Sequence, residues 1–222
     1  MEIITKEYKV YNFDELKEDV KEKVIERFQK DNCEDYCEYY LEDDMNDKAE
    51  ELLEKYFGKD AKIKDVYYDL SYCQGSGSMI AFSINILDLN KKYKLFTDEE
   101  IRLIADKSLC NEIRVYHNDN FYYHEYTFSI EYDDDFGCYD YEDIKDEYNI
   151  TEKDFYQLED RLIDFLDTYN KHNTESQFIK DIISMNKELT KKGYEMIDYD
   201  FKEESKESAR NYKYLEDGTI FE

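Results

Sequence analysis

The sequence predicts an α+β fold: an antiparallel sheet of about four to five strands, with helices packed on it and a C-terminal helical hairpin. Two observations lead to this class. Runs of β-branched and aromatic residues, separated by turn residues, recur before residue 148. From Thr151 onward, apolar residues recur at the three- and four-residue spacing of amphipathic helices. We expect a single structural unit over 1–222, with an α+β part over 1–148 and a mainly helical lobe over 149–222.

The N-terminal quarter predicts one strand and two helices. Alternating residues predict a strand over 3–11, and Asn12 or Asp14 can cap the helix that follows. The apolar stripe of that helix is Leu16, Val20, Val24 and Phe28. A second helix is expected over 36–57, and Gly58 should end it.

The middle of the chain predicts the sheet. "IKDVYYDLSYC" (63–73) and "MIAFSINILDL" (79–89) are strand-like runs on either side of a glycine loop. Thr97 with Glu100 forms a capping box, which predicts a short helix after it. "EIRVYH" and "FYYHEYTFSIEY" flank "NDN" (118–120), which predicts a hairpin.

Two helical stripes separated by "KHNTES" (171–176) predict an antiparallel helix pair. The stripes are Phe155, Leu158, Leu162, Phe165, Leu166 and Tyr169, and then Phe178, Ile182, Met185 and Leu189. Gly193 is expected to end the second helix, and 194–201 to add a strand. A short helix over 202–212 and a turn at 217–218 complete the predicted elements.

The glycine loop Gln74–Ser78 is a cluster in a chain that holds 6 glycines and no proline. A phosphate-binding loop needs a strand before it and a helix after it. The residues after Ser78 are strand-like, and no Lys-Ser or Lys-Thr pair follows. The pattern therefore favours a turn, and a small-ligand site at Gln74–Ser78 is the alternative.

The histidines and cysteines match no metal motif. His117 and His124 flank the predicted hairpin turn, with Cys110 and Cys138 nearby in sequence, but the spacing fits no zinc site. The acidic run after Glu131 fails as a calcium loop, since Tyr132 stands where the first carboxylate ligand is required. We expect no metal and no cofactor. A metal-dependent protein using His117 and His124 is the alternative.

Charge sets the expected partner. The net charge is −27, from 57 acidic against 30 basic residues, which repels nucleic acid and anionic membrane and attracts a basic protein surface. The chain holds none of the G-x-S-x-G, H-E-x-x-H or Cys-His patterns of familiar active sites, so we expect no enzyme. An odd number of scattered cysteines and a start without a basic, apolar leader favour a cytoplasmic protein.

Two segments concentrate the acid. Residues 34–47 hold seven carboxylates and no Lys or Arg, and residues 131–147 hold nine carboxylates and one Lys. The predicted partner-binding residues are Glu34, Asp35, Tyr36, Glu38, Tyr39, Glu42, Asp43, Asp44 and Asp47 in the first segment, and Asp133, Asp134, Asp135, Asp140, Glu142 and Asp143 in the second. Helical carboxylates recur about every 5 Å, and phosphates about every 3.4 Å of a nucleic-acid strand. The two segments are therefore predicted to form the contacts of a surface that imitates nucleic acid.

Three stretches resemble a family of small, acidic, uncharacterised bacteriophage proteins. They are "YNFDELKEDVKEKVIE", "VYYDLSYCQGSGSMIAF" and "NYKYLEDGTIF". In that family the loop usually reads Q-G-D-G, whereas Ser76 takes the place of the acid here. The resemblance implies a phage origin, and such proteins are often inhibitors of host defence.

Together these observations predict a phage-encoded inhibitor, of the anti-CRISPR or anti-restriction kind, that occupies the basic groove of a CRISPR effector or another host nucleic-acid enzyme. A structural or interaction protein of the phage, with charge serving only solubility, is the remaining alternative. Because helices present side chains rigidly, we expect reversal of Asp35, Glu38 and Glu42 to cost more inhibition than reversal of 133–135.

Overall fold

A computed structural model describes residues 6–107, 111–118, 122–132, 141, 142, 145, 151–170 and 176–221. The helices are α1 (Glu18–Tyr39), α2 (Leu41–Phe57), α3 (Ile86–Tyr93), α4 (Asp98–Lys107), α5 (Glu152–Asn170), α6 (Gln177–Ile197) and α7 (Lys202–Ala209). The strands are β1 (Tyr11–Asn12), β2 (Lys62–Asp69), β3 (Gly77–Asn85), β4 (Glu112–His117), β5 (Phe128–Tyr132) and β6 (Lys213–Tyr214). These elements confirm the α+β class.

The chain divides into two compact units. Unit 1 combines Met1–Asp44 with Glu195–Glu222, and unit 2 is Met45–Tyr194. This division differs from the predicted parts 1–148 and 149–222. The reason is that the C-terminal residues return to the N-terminal helix, while α6 packs on the sheet of unit 2.

Unit 1 is built on the apolar stripe of α1, as predicted. Its core consists of Phe13, Leu16, Val20, Val24, Phe28, Ala209 and Tyr214. Helix α7 packs against α1, and β1 pairs with β6 in antiparallel register. The buried Tyr214 hydroxyl donates to the Ala209 carbonyl at 2.6 Å, so this phenol is satisfied within the core.

The N-terminal strand and the helix boundary in unit 1 differ from the prediction. Residues 6–10 form no strand, and pairing is limited to β1, whose partner β6 lies about two hundred residues away. Helix α1 runs on to Tyr39, so the second helix begins at Leu41 rather than near Tyr36. Gly58 ends α2 with a positive φ of 86°, as predicted.

Unit 2 contains a four-stranded antiparallel sheet within the described residues, in the order β2-β3-β4-β5. Gly77 to Ile84 of β3 are all buried, because β3 lies inside the sheet. Helix α6 packs on β3, where the Asn186 side-chain oxygen accepts the Ile80 N–H at 3.1 Å. Helix α5 packs against β5. The two predicted C-terminal helices are therefore present, and both cover the sheet.

Gly193 does not end α6, which continues to Ile197. A side chain at Gly193 would meet Leu70 and the Met45 sulfur, so the residue allows close packing instead of a turn. The strand predicted over 194–201 is also wrong, since its first half completes the helix.

Two strand boundaries in unit 2 were predicted too generously. Residues after Asn85 form α3, because the Asn85 side chain accepts the Leu87 N–H at 2.8 Å and caps a helix there. On the other side of the sheet, β5 begins only at Phe128, since the Thr127 N–H donates to the His124 carbonyl in a turn.

Asp181 gives unit 2 a testable pH dependence. Its carboxylate accepts bonds from Lys92 (2.8 Å), Tyr93 (2.6 Å) and Gln177 (2.6 Å). Burial acts to raise the pKa of Asp181, but these bonds outweigh it and leave the pKa lowered. The ionised carboxylate therefore stabilises the fold above the unfolded pKa of about 3.9, and this contribution is lost as the pH falls through the lower folded pKa.

We expect Asp181→Asn to lower the free energy of unfolding by about 1–3 kcal/mol near neutral pH. The difference from the unsubstituted protein should shrink as the pH falls from about 6 to about 3, measured by urea unfolding. Glu203→Gln, which disturbs an exposed pair with Lys206, is the control and should change the stability much less. A difference that stays constant with pH would contradict this role of the carboxylate.

Candidate protein-binding surface

The acidic segment predicted to bind a partner lies at the corner where α1 ends and α2 begins. The Tyr40 N–H donates to the Tyr36 carbonyl at 3.0 Å and closes α1. The Tyr40 carbonyl in turn accepts the Asp44 N–H at 3.1 Å, within the first turn of α2. Leu41 is buried at the junction, which directs its polar neighbours outward. We call residues 34–44 of unit 1 the acidic corner.

The structure brings eight of the predicted residues together in this corner. Glu34, Asp35 and Glu38 are exposed on α1, where Glu38 lies one helical turn after the adjacent Glu34 and Asp35. Glu42, Asp43 and Asp44 are exposed in the first turn of α2. The two tyrosines of the set are Tyr36 and Tyr39. Asp47 is also exposed but lies further along α2, in unit 2.

The second predicted segment is mostly beyond what the structure describes. Asp133, Asp134, Asp135, Asp140 and Asp143 lie outside the described residues. Glu142 is described, and it is exposed and pairs with Lys145. A binding role for this segment therefore stays a prediction.

The two halves of the acidic corner relate differently to their helices. Acids in the first turn of α2 face the positive end of its dipole, where each contributes about 0.3–1 kcal/mol of stability. Asp35 and Glu38 lie instead near the negative end of α1, whose last turn has no basic residue. Glu34 has a partial counter-charge, since Lys30 approaches it at 3.6 Å. Helix stability thus accounts for the acids of α2 but not for those at the end of α1.

Tyr36 braces the corner. Its hydroxyl donates to the Asp44 carboxylate at 2.6 Å and so joins the end of α1 to the start of α2. Burial, followed by this hydrogen bond, raises the pKa of the Tyr36 phenol well above its usual value, so the phenol stays neutral and donating. The neighbouring tyrosines are open to solvent, with Tyr39 62% and Tyr40 61% exposed. The corner therefore presents carboxylates and aromatic rings from a braced support.

A groove in unit 1 adjoins the acidic corner, and only Asp35 and Tyr36 of its lining are among the predicted binding residues. The lining residues are Asn32, Asp35, Tyr36, Tyr40, Phe201, Glu204 and Ser208, around a volume of about 310 Å³. The last three come from the C-terminal residues, far away in sequence. The amphipathic pattern of α7 is weak, and no local signal indicates that it would pack on α1.

The glycine loop turns the chain, as predicted. It joins β2 to β3 as an antiparallel hairpin, with a strand following it instead of a helix. Gly75 has a φ of 98°, and any side chain there would collide with the Tyr122 ring. The Ser76 hydroxyl accepts the Cys73 N–H at 3.0 Å, which closes the turn locally.

The two histidines of unit 2 are held by neighbouring groups. A ring nitrogen of His117 lies 3.0 Å from the Tyr122 carbonyl, and the ring stacks on Tyr67 with centroids 5.0 Å apart. His124 accepts the Tyr126 N–H through Nδ1 at 3.2 Å. Within the described part of the chain, no three His, Cys, Asp or Glu side chains converge as metal ligands would.

No family model, curated protein or solved structure matches this chain. Among the helices in the described ranges, none combines the length and apolar character needed to cross a membrane.

Proposed function

We propose that this protein is a nucleic-acid mimic of phage origin that inhibits a host defence protein by occupying its basic groove. A CRISPR effector complex or a restriction enzyme is the expected target. The observation that carries the proposal is the acidic corner, where exposed carboxylates from two helices stand together on a braced support in a chain of net charge −27.

The spacing of the carboxylates supports mimicry. Acids one helical turn apart on α1 repeat at about 5 Å along the axis, close to the phosphate repeat of about 3.4 Å along a strand. A groove lined by Lys and Arg accepts either lattice, since both present oxygen acceptors with delocalised negative charge. The exposed rings of Tyr39 and Tyr40 add contacts for arginine, which stacks on aromatic faces.

The placement of the acids also favours a binding role. Asp35 and Glu38 lie where a negative charge disfavours the helix, and a solubility role is served equally well at other positions. Residues that reduce stability and make no compensating contact are typical of functional surfaces.

Binding to purified CRISPR effector complexes and restriction enzymes, with and without competing target DNA, tests the proposal. We expect the target to bind this protein and DNA in mutually exclusive fashion. The affinity should fall at least about 10-fold between about 50 and about 500 mM salt, because exposed charges are screened. Simultaneous binding of DNA, or an affinity indifferent to salt, would show that mimicry is the wrong mechanism.

A further inference from the structure

We infer that the groove between α1 and α7 in unit 1 binds an arginine side chain of the basic partner. This inference rests on the proposed function and deepens it, since it identifies an anchoring side chain for the complex. It also distinguishes specific binding in this groove from general attraction by the negative charge of the protein.

The walls of the groove are tied together by polar contacts. The Asn32 amide donates to the Ser205 hydroxyl at 2.9 Å, and the Gln29 amide donates to Asp200 at 2.6 Å. Both bonds join α1 to the C-terminal part of unit 1, on either side of Phe201. The two walls are therefore fixed relative to each other, and such preorganisation reduces the entropy lost on binding.

Three aromatic residues, Tyr36, Tyr40 and Phe201, line the groove. Phe201 packs against Tyr36 with ring centroids 5.6 Å apart, and Tyr199 meets Phe201 edge-on at 4.9 Å. The Tyr40 ring stacks on Tyr36 with centroids 6.5 Å apart, and Tyr40 is 61% exposed. A planar cation can lie against such rings, whose faces carry partial negative charge.

Carboxylates complete the lining. Asp35 comes from α1 and Glu204 from α7, and among the described residues the lining includes no lysine or arginine that would compete for them. The Tyr199 hydroxyl donates to one Glu204 oxygen at 2.9 Å and so orients that carboxylate. The side chains of the groove thus combine negative charge, hydrogen-bond acceptors and aromatic faces.

This combination favours guanidinium over ammonium. Arginine is planar, stacks on aromatic rings and pairs with carboxylates in a fixed fork, whereas the lysine ammonium is a compact and strongly hydrated point charge. A general acidic field attracts both cations equally. A preference for arginine at equal charge is therefore the signature of the groove.

Two blocked peptides of alternating residues, one with five Arg and five Gly and one with five Lys and five Gly, test the inference by calorimetry. We expect the Arg peptide to bind at least about 5-fold more tightly than the Lys peptide. In NMR spectra, the Arg peptide should shift the resonances of Tyr40 and Phe201. Equal affinities, or shifts confined to residues outside the groove, would overturn the inference.

Tyr40→Leu with Tyr39→Leu as its control sharpens the test, because the two tyrosines are adjacent, similarly exposed, and only Tyr40 lines the groove. Tyr40→Leu should abolish the preference for the Arg peptide, and Tyr39→Leu should leave it intact. Equal effects of the two variants would overturn the inference that the groove binds arginine.

The inference and the proposed function fail in distinguishable ways. If Tyr40→Leu leaves the affinity for a bound defence protein unchanged, the groove is not the anchor although mimicry stands. If no defence protein binds, mimicry fails, and the peptide preference still decides whether the groove takes arginine.

Discussion

Replacing Asp35 and Glu38 with lysine should weaken binding to the target by at least about 100-fold without destabilising the protein. Each carboxylate paired with a target arginine contributes about 1.5–3 kcal/mol to binding. Because about 1.4 kcal/mol corresponds to a tenfold change in affinity, losing two such pairs weakens binding by at least about 100-fold. Stability should hold or rise, because lysine at the C-terminal end of α1 opposes the negative end of its dipole. Binding is measured by calorimetry and stability by thermal unfolding.

Two double variants act as controls. Glu22→Lys with Glu26→Lys changes exposed positions on the same helix, away from the acidic corner, and also shifts the net charge by four, from −27 to −23. We expect only a small loss of affinity from it, due to the weaker overall field. Glu42→Lys with Asp43→Lys should weaken binding and also destabilise α2, since it places cations at the positive end of a helix.

Equal losses of affinity from the Asp35/Glu38 and Glu22/Glu26 pairs would mean that bulk charge alone drives binding. The same binding assay also decides between the two acidic segments. Reversal of Asp35, Glu38 and Glu42 should cost more than reversal of Asp133, Asp134 and Asp135, and the opposite order would move the interface to the second segment.

Phe82→Ala should lower the free energy of unfolding by about 3–5 kcal/mol, the usual cost of emptying a large buried site. Phe82 is fully buried on β3, and its ring packs against Phe57 with centroids 4.7 Å apart. Ile80 and Ile84, which share its face of the strand, are buried too, so the surrounding core has little freedom to collapse into the space. Since domains are stable by only about 5–15 kcal/mol, this substitution removes a large share of the total.

Urea unfolding followed by circular dichroism measures the effect of Phe82→Ala. Ile163→Ala is a suitable comparison, because Ile163 is 49% exposed on α5, and it should cost under about 1 kcal/mol. Phe82→Leu retains most of the buried surface and should fall between the two. A cost for Phe82→Ala no larger than that for Ile163→Ala would contradict a central position for this ring.

Local patterns were sufficient for most of the secondary structure. The stripe from Leu16 to Phe28 predicted the buried face of α1, because helical spacing alone places those side chains together. The Thr97 and Glu100 capping box is present as predicted, with the Thr97 N–H donating to Glu100 at 2.7 Å. The predicted turn at 217–218 is also present, where Gly218 has a φ of 86°. Each of these features depends on residues that are close in sequence.

The acidic corner was predicted from the sequence only in part. Its composition was evident from residues 34–47, but the helix break at Tyr40 was not, since no glycine or proline marks it. The brace from Tyr36 to Asp44 spans that break, and it joins two residues that a continuous helix would place two turns apart. The sequence pattern therefore identified the acidic residues, and the fold determined how they are arranged on the surface.

Residues distant in sequence decided the rest. Gly193 could not be distinguished from a helix terminator until Leu70 and Met45 were seen against it. Nothing near residue 35 in the sequence points to Phe201 or Glu204, which complete the groove. Charge, periodicity and caps act over a few residues and can be deduced from one segment at a time, whereas a groove forms from segments that meet only when the chain folds and buries its apolar surface.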